Sequence, residues 1–242
     1  MNVYQNENIK TVLSSNTYPG RGIIIGKTPN GRFAAVAYFI MGRSGNSRNR
    51  IFSQKGSDVT IYPFDYSKVE DPSLIIYSPI RTVSNHLIVT NGDQTDTIFD
   101  FISAGKSFEE ALETREFEPD FPNLTPRISG ILSFKENDFT YKMSILKSAD
   151  SDASGCNRYT FSYFPVDGVG HFIHTYNCDG DPIPTFTGEP KRIEISDDID
   201  TFTKSIWDNL NEQNKISLFV RFVELSTGKT QDKLINKYCT EV

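Results

Sequence analysis

Three arginines, two serines and two asparagines occur within residues 43–50, directly after an apolar segment that ends at Met41. The run reads Arg43-Ser44-Gly45-Asn46-Ser47-Arg48-Asn49-Arg50. A turn rich in glycine and small hydroxyls can aim backbone N–H groups and serine hydroxyls at one point. Arginine adds planar, paired donors that match the geometry of a phosphate group. The run is therefore a candidate anion-binding loop, and a solvated surface loop is the alternative.

The charge distribution around this run favours the anion-binding interpretation. The chain carries 31 acidic and 25 basic residues, a net charge of −6, yet residues 8–57 contain no Asp or Glu. The same segment contains eight basic residues, Lys10, Arg21, Lys27, Arg32, Arg43, Arg48, Arg50 and Lys55. A basic opening segment in an acidic chain predicts a local site for a small anion, with a chance distribution as the alternative. The acidic total argues against nucleic acid or an anionic membrane as a partner.

The ends and the cysteines of the chain predict a cytoplasmic location. The first ten residues, MNVYQNENIK, are polar and lack the apolar centre of a signal peptide. No apolar run approaches the length that spans a bilayer. Three cysteines, Cys156, Cys178 and Cys239, cannot all pair with one another, which is typical of a reducing compartment.

The sequence gives little support for a P-loop, a metal site or a serine nucleophile. The glycine-rich run at residues 20–28 lacks the spacing of a phosphate-binding P-loop and leads into a hairpin turn instead of a helix. His171 and His174 lie between Cys156 and Cys178, but in a strand the two histidines point to opposite faces, so we predict no metal site. No Gly-x-Ser-x-Gly segment marks a serine nucleophile.

The pattern of apolar residues predicts many strands and a few helices that must position these side chains. Strands are expected at 21–27 and 32–40 around a turn at 28–31, near 58–64, 74–80 and 85–91, at 127–134, 139–146, 158–164, 170–176 and 191–195, and at 217–225. Helices are expected around 98–104, from a capping box at Ser107 to about 115, and from caps at Asp197 and Asp198 through Leu210, with a short polar helix closing the chain. We therefore predict an α+β protein with two stacked sheets and helices on their outer faces, as one αββα domain rather than two.

Several short motifs, taken in order, resemble one known family. They are Tyr18-Pro19-Gly20-Arg21 with Gly26, Arg43-Ser44 with Asn49-Arg50, Tyr77 with Arg81, the run from Thr90 to Ile98, and Glu118 with Asp120 before Thr125-Pro126-Arg127-Ile128. Their order and spacing are similar to those of the archaeal-type inosine monophosphate cyclohydrolase family, which also occurs in bacteria. The resemblance is closest over residues 18–131.

The resemblance implies a fold and a reaction. The expected fold is a four-layer αββα sandwich like that of the N-terminal nucleophile hydrolases, without their nucleophile. Residues 1–242 would form one domain, with residues 1–17 as an N-terminal extension. The expected reaction closes the second ring of 5-formamidoimidazole-4-carboxamide ribonucleotide, giving inosine monophosphate and water, with neither metal nor organic cofactor. The partners would be purine ribonucleotides, and a homo-oligomer is left open.

The resemblance also assigns roles to individual residues. The implied catalytic residues are Arg50 for charge on the formyl oxygen or the amide, Tyr77 as a proton relay, and Glu118 as a base or as the group that orients the carboxamide. The implied substrate-binding residues are Arg21, Arg43, Ser44, Asn49, Asn91, Gly92 and Asp93.

The chain departs from the shorter archaeal members of this family at three places. It has about fifteen additional residues before Tyr18, an Asp93-Gln94 pair where related chains vary, and a longer second half. Two rival interpretations remain, another amide-processing hydrolase on the same fold and a non-catalytic protein that binds purine nucleotides.

Overall fold

The computed structural model of the chain describes residues 4–69 and 76–238. The helices in these ranges are α1 (Ile9–Ser14), α2 (Gly45–Arg48), α3 (Gln94–Ser103), α4 (Phe108–Glu113) and α5 (Ile199–Trp207), with a 3₁₀ turn at Tyr66–Lys68. The strands are β1 (Arg21–Lys27), β2 (Phe33–Met41), β3 (Ile51–Lys55), β4 (Asp58–Tyr62), β5 (Ile80–Val83), β6 (His86–Thr90), β7 (Arg127–Lys135), β8 (Asp138–Ser148), β9 (Cys156–Tyr163), β10 (Val169–His174), β11 (Lys191–Glu194), β12 (Lys215–Glu224) and β13 (Thr230–Asn236).

The strands form two antiparallel sheets of different construction. Sheet A has the order β11-β10-β1-β2-β12-β13 and therefore draws its strands from both ends of the chain. Sheet B has the order β3-β4-β5-β6-β7-β8-β9, in which each strand pairs with the next in sequence. Every strand pairing in the two sheets is antiparallel.

The apolar side chains of each strand alternate between two faces, and both faces are covered. One cluster lies between the sheets and includes Ile23 and Val36 of sheet A with Val89 and Met143 of sheet B. A second cluster joins the other face of sheet A to α1 and α5, and a third joins the other face of sheet B to α3 and α4. This arrangement buries nearly continuous apolar strands such as β2, whose nine residues are all buried.

Most of the predicted elements are confirmed. The turn at 28–31 connects β1 to β2, with Gly31 N–H donating to the Thr28 carbonyl at 2.9 Å. Ser107 and Glu110 form the predicted capping box at α4, and Asp198 caps α5 through Thr201 N–H at 2.7 Å. The strand predicted at 74–80 falls partly outside the described residues, and β5 begins at Ile80.

One prediction at the end of the chain is wrong. The segment expected to be a short polar helix is strand β13, which pairs with β12 from Thr230 to Asn236. Its first four residues, 230–233, are polar and not buried, as suits the edge of sheet A, whereas Leu234 packs against the cluster between the sheets. Its Asp232 carboxylate pairs with the buried guanidinium of Arg221 at 2.7 Å, a contact that sequence periodicity does not reveal.

Two further findings concern membranes and metals. Within the two described ranges, no helix is long and apolar enough to cross a membrane. The same ranges hold no cluster of three or more His, Cys, Asp or Glu side chains that could bind a metal ion. Cys239 lies outside the described residues.

Candidate active site

A cavity of about 790 Å³ lies between the two sheets, where strands of both sheets end. Its wall contains the first residue of β1, the residues after β2, β6 and β10, and the first residue of β7. The lining residues are Tyr18, Arg21, Arg43, Ser44, Asn46, Ser47, Arg50, Tyr77, Gly92, Asp93, Glu118, Pro119, Asp120, Asn123, Thr125, Arg127, Tyr176 and Ile183. Eight of the ten residues singled out in the sequence line this cavity, and Asn49 and Asn91 do not.

Arg21 enters the cavity because of its position at the start of β1. Arg21, Ile23 and Ile25 occupy every second position of the strand, and the side chains of Ile23 and Ile25 lie between the sheets. The Arg21 side chain therefore lies on the same face of the sheet. The preceding Gly20 has φ +76°, and a Cβ at this position would lie 2.2 Å from Thr175 Oγ1. The backbone conformation before Arg21 therefore requires glycine at position 20.

The arginine-rich run folds into the short helix α2 and its flanks. Ser44 caps the helix, accepting from Ser47 N–H at 3.1 Å, while Ser44 N–H donates to Ser47 Oγ at 3.0 Å. Arg43 and Arg50 flank this turn and line the cavity, whereas Arg48 turns away and donates to the Gly42 carbonyl at 3.1 Å. The serine hydroxyls are thus used mainly to shape the turn that presents the two arginines.

Arg21, Arg50 and Glu118 form an unusual set of charges. None of the three makes an ion pair or a side-chain hydrogen bond with any residue that the structure describes. The Nε atoms of Arg21 and Arg50 are inaccessible to solvent and have no partner among the described residues. Buried charges in proteins are normally paired, so a ligand in the cavity could supply the hydrogen-bond partners that these groups lack.

The pKa values of this set reflect burial and mutual proximity. Burial lowers the pKa of Arg50, and the neighbouring Arg21 lowers it further. Burial also acts to lower the pKa of Arg21, but the surrounding Glu118 and Tyr176 outweigh it, so the net pKa of Arg21 is raised. Burial raises the pKa of Glu118, against the opposing effect of Arg21 and Arg127. The carboxylate is therefore better suited to accept a proton than an ordinary glutamate.

Tyr77 lies in the segment before β5 and lines the cavity. Ile61 N–H donates to its backbone carbonyl at 2.9 Å and so holds this segment beside β4. Burial raises the pKa of Tyr77, although Arg50 and Arg21 oppose this. The phenol is therefore neutral at physiological pH. Its oxygen lies 3.1 Å from the hydroxyl of Tyr38, a buried residue of β2 that the sequence did not single out.

Gly92 and Asp93 lie between β6 and α3 beside a second group of arginines. The Asp93 carboxylate accepts from Arg127 at 2.6 Å and from Arg115 at 2.5 Å, so its charge is balanced. Arg127 also donates to Gln94 Oε1 at 2.7 Å. A Cβ on Gly92 would lie 2.4 Å from Arg127 Nη1 and 2.6 Å from Gln94 Oε1, so glycine leaves the space that this cluster occupies.

Asn49 and Asn91 hold the walls of the cavity. The Asn49 amide accepts from Asp65 N–H and donates to the Asp65 carbonyl, both at 2.7 Å, as a paired strand residue would. Asn91 joins β6 to β7 by donating to the Pro126 carbonyl at 2.8 Å and accepting from Ile128 N–H at 2.9 Å. Each amide therefore both donates and accepts within the protein, and the assigned substrate contacts of Asn49 and Asn91 stay a prediction.

Sequence reasoning missed part of the wall. The Tyr176 hydroxyl lies 2.6 Å from Thr125 Oγ1, which in turn contacts the Asp120 carboxylate. The Tyr176 ring stacks on Tyr18 with centroids 5.8 Å apart, and the Arg43 guanidinium lies 5.1 Å from the Tyr18 ring centre. A tyrosine at the end of strand β10 and the Thr-Pro-Arg start of β7 were the available signals.

A comparison with protein families matches residues 18–229 to the family described as IMP cyclohydrolase-like protein. The match spans sheet B, the strands of sheet A other than β13, and every lining residue of the cavity. The chain belongs to this family.

Individual relatives agree with the family match. The chain is 31% identical over 166 residues to the IMP cyclohydrolase of Methanococcus aeolicus, covering 66% of this chain and 75% of that protein. It is 29% identical over 195 residues to the IMP cyclohydrolase of Methanocaldococcus jannaschii, covering 74% and 84%. It is 37% identical over 121 residues to that of Methanocella arvoryzae, covering 48% and 58%.

The two histidines considered for a metal site lie on opposite faces of β10, as the sequence predicted. His171 Nδ1 lies 2.6 Å from the Tyr141 hydroxyl, and His174 Nδ1 lies 2.8 Å from the Tyr176 carbonyl. Burial lowers the pKa of each to about 4. Both rings are packed against other aromatic side chains and lie outside the wall of the cavity.

Proposed function

We propose that the protein is an inosine monophosphate cyclohydrolase acting in purine biosynthesis, and that the 790 Å³ cavity is its active site. The observation that carries this proposal is the separated set of Arg21, Arg50 and Glu118, which face the cavity without pairing. Family membership supports the same reaction. The volume suits a mononucleotide, since ligand cavities commonly measure about 300–1,000 Å³.

The reaction has two steps, and each step moves protons on and off the nitrogen and oxygen atoms bonded to the formyl carbon. The carboxamide nitrogen forms a bond to the formyl carbon and loses a proton, while the formyl oxygen gains one, giving a cyclic carbinolamine. The C–O bond then breaks as the hydroxyl gains a proton and leaves as water, and the other ring nitrogen loses its proton as the C=N bond forms. Both reacting groups belong to one molecule, so positioning contributes strongly to the rate.

Three residues match these needs. Glu118 accepts the proton of the carboxamide nitrogen and later returns it to the departing hydroxyl, a use favoured by its raised pKa. Tyr77 donates a proton to the formyl oxygen and regains one from the second nitrogen, and its raised pKa keeps the phenol protonated beforehand. Arg50, with a buried and unpartnered Nε, stabilises the negative charge that develops on the oxygen.

The test is an absorbance assay for inosine monophosphate formation from the formylated substrate, together with calorimetric binding of product. Turnover by the wild-type protein supports the proposal. Product binding without turnover would identify a nucleotide-binding protein, and release of formate or ammonia instead of ring closure would identify another amide-processing hydrolase.

Arg43→Ala is expected to weaken nucleotide binding by about tenfold while changing kcat little, because an anchor for phosphate acts alike in the ground and transition states. The loss corresponds to on the order of 1.5 kcal/mol, the low end for hydrogen bonds to charged groups. We choose the low end because the Arg43 side chain is 36% exposed and already pairs with Asp179. Calorimetry and the KM of the absorbance assay measure the effect.

Arg48→Ala is the matched control for this prediction. Arg48 belongs to the same run but lies outside the cavity wall, where its guanidinium binds the Gly42 carbonyl and Asn214. We expect its nucleotide affinity to equal that of the wild type. Equal affinities for Arg43→Ala and the wild type would remove Arg43 from the site.

Three broader proposals accompany the function. The two sheets and their helices constitute an αββα sandwich of the N-terminal nucleophile hydrolase type. Residues 1–242 act as one domain, and the enzyme works in the cytoplasm on purine ribonucleotides. The layered apolar clusters support the first of these, and a single cooperative melting transition would support the second.

A further inference from the structure

Tyr38 is a polar residue that the proposed reaction does not yet use. It lies on β2, its side chain is fully buried between the sheets, and its ring stacks on Phe52 with centroids 5.6 Å apart. Its hydroxyl lies 3.1 Å from the hydroxyl of Tyr77. Tyr38 is outside the cavity wall, and its hydroxyl meets the wall through the hydrogen bond to Tyr77. Burial raises the pKa of the Tyr38 phenol, and the charges of Arg21 and Arg50 also act on this phenol and lower its pKa against that effect.

The surroundings of Tyr77 make the direction of this hydrogen bond important. A phenol can donate one hydrogen bond and can also accept. If Tyr38 donates to the Tyr77 oxygen, the proton of Tyr77 is free to point into the cavity. The other charged groups that face Tyr77 come from separate elements, Arg21 from β1, Arg50 from the segment after α2, and Glu118 from the loop after α4.

We propose that Tyr38 is a positioning residue that donates a hydrogen bond to the Tyr77 oxygen and so turns the Tyr77 proton towards the substrate. When the O–H bond of Tyr77 breaks and its proton passes to the formyl oxygen, the remaining phenolate accepts the Tyr38 hydrogen bond. The phenolate regains a proton from the ring nitrogen in the second step, so Tyr38 itself never exchanges one. The catalytic part of this inference rests on the proposed function, and the hydrogen-bond direction does not.

A purely structural use of Tyr38 is the alternative, because the bond also connects sheet A to a connection of sheet B. Tyr141 provides a matched control. It is another tyrosine of the same apolar cluster, 1% exposed, and its hydroxyl bonds to His171 Nδ1 at 2.6 Å, away from the cavity. Removing either hydroxyl deletes one hydrogen bond inside the protein, buried at Tyr38 and partly buried at Tyr141, but of the two only Tyr38 touches Tyr77.

The kinetic experiment compares Tyr38→Phe, Tyr77→Phe, the double variant and Tyr141→Phe. We expect Tyr38→Phe to lower kcat by about tenfold with KM within twofold, and Tyr141→Phe to leave both unchanged at a similar loss of melting temperature. The double variant should have the kcat of Tyr77→Phe alone, because the proposed effect of Tyr38 passes through its hydrogen bond to the Tyr77 oxygen. Equal kcat for Tyr38→Phe and Tyr141→Phe, or multiplicative losses in the double variant, would overturn the proposal.

A second experiment is independent of turnover. 3-Fluorotyrosine placed at position 77 reports the ionisation of that phenol by fluorine NMR, and the electron-withdrawing fluorine lowers the pKa of the phenol, against the effect of burial at this position. Loss of a hydrogen bond donated to the phenolate should raise the pKa of residue 77 in the Tyr38→Phe background, and Tyr141→Phe should not change it. An unchanged or lowered pKa with Tyr38→Phe would show that Tyr38 does not donate to Tyr77, whether or not the protein forms inosine monophosphate.

Discussion

Glu118→Gln is expected to reduce kcat by roughly 10²–10³-fold, the scale associated with loss of a general acid–base group. The amide keeps the shape of the side chain but cannot accept the proton of the carboxamide nitrogen. In the wild type, the acidic limb of the kcat/KM profile should lie above the ordinary glutamate pKa of 4.5, because burial raises the pKa of Glu118. The variant should lack this limb, and pH-dependent initial rates measure both effects.

The direction in which Glu118→Gln changes the stability of the protein follows from the raised pKa of Glu118. A carboxyl whose pKa is raised by folding favours the folded state at pH values below its ordinary pKa, and this contribution is lost as the pH rises through the raised value. The variant should therefore be at least as stable as the wild type at neutral pH. Glu116→Gln, two residues away with a side chain that is 68% exposed, is the control and should keep wild-type kcat. A kcat within threefold of wild type for Glu118→Gln would place the base elsewhere.

Arg50→Met should also lower kcat by roughly 10²–10³-fold, as expected for loss of a group that stabilises an oxyanion. Most substitutions inside a protein lower its free energy of unfolding, but we expect Arg50→Met not to lower it. The charge on Arg50 is unfavourable in the folded state because burial and Arg21 lower its pKa. Methionine fills similar space without that charge, so the free energy of unfolding should stay equal or rise.

Arg21→Met is the matched comparison for Arg50→Met. Both arginines line the same cavity with inaccessible Nε atoms, but the pKa of Arg21 is raised by Glu118 and the tyrosines around it. Its charge therefore favours the folded state, and its replacement should lower the melting temperature. Thermal unfolding of the two variants measures the contrast. A loss of stability for Arg50→Met equal to that for Arg21→Met would contradict this account of the charges.

Local signals in the sequence were sufficient for most elements that hold the site. The Thr28–Gly31 turn, the Ser107 capping box and the alternating strands depend on neighbours close in sequence, and all are present. The arginines of the candidate site could be singled out because no acidic residue interrupts residues 8–57. The resemblance to a known family, together with the arginine-rich run, thus indicated eight lining residues before the fold was known.

The features that could not be predicted depend on contacts distant in sequence. Asn49 resembles its neighbours in the arginine-rich run, but its amide is used by the Asp65 backbone. The hydrogen-bond partner of Tyr38 is 39 residues away in the sequence. The pattern of strand β2 therefore predicts that the Tyr38 side chain is buried but does not predict which group its hydroxyl contacts. Strand β13 begins with four polar residues, 230–233, and is held in place by β12, which overrides its local preference. Helix α1 was missed because six residues with one cap give a weak pattern, although Ile9, Val12 and Leu13 are buried.

The different strand orders of the two sheets bear on how the chain folds as it leaves the ribosome. Sheet B pairs consecutive strands, so its hairpins can form as residues 51–163 emerge. In sheet A, β1 and β2 are made early, but their outer partners β10 and β12 begin at Val169 and Lys215. Pairings of such long sequence separation form slowly.

The nascent chain must therefore carry β2, with nine residues that are all destined for the interior, through most of its synthesis with one edge unpaired. Apolar strands in that condition are prone to intermolecular pairing. The same delay applies to the candidate site, because Arg21 and Tyr38 lie on β1 and β2 and meet the rest of sheet A last. Catalytic competence would then arise only after β12, residues 215–224, has been translated, and slower synthesis would prolong the exposure of β2.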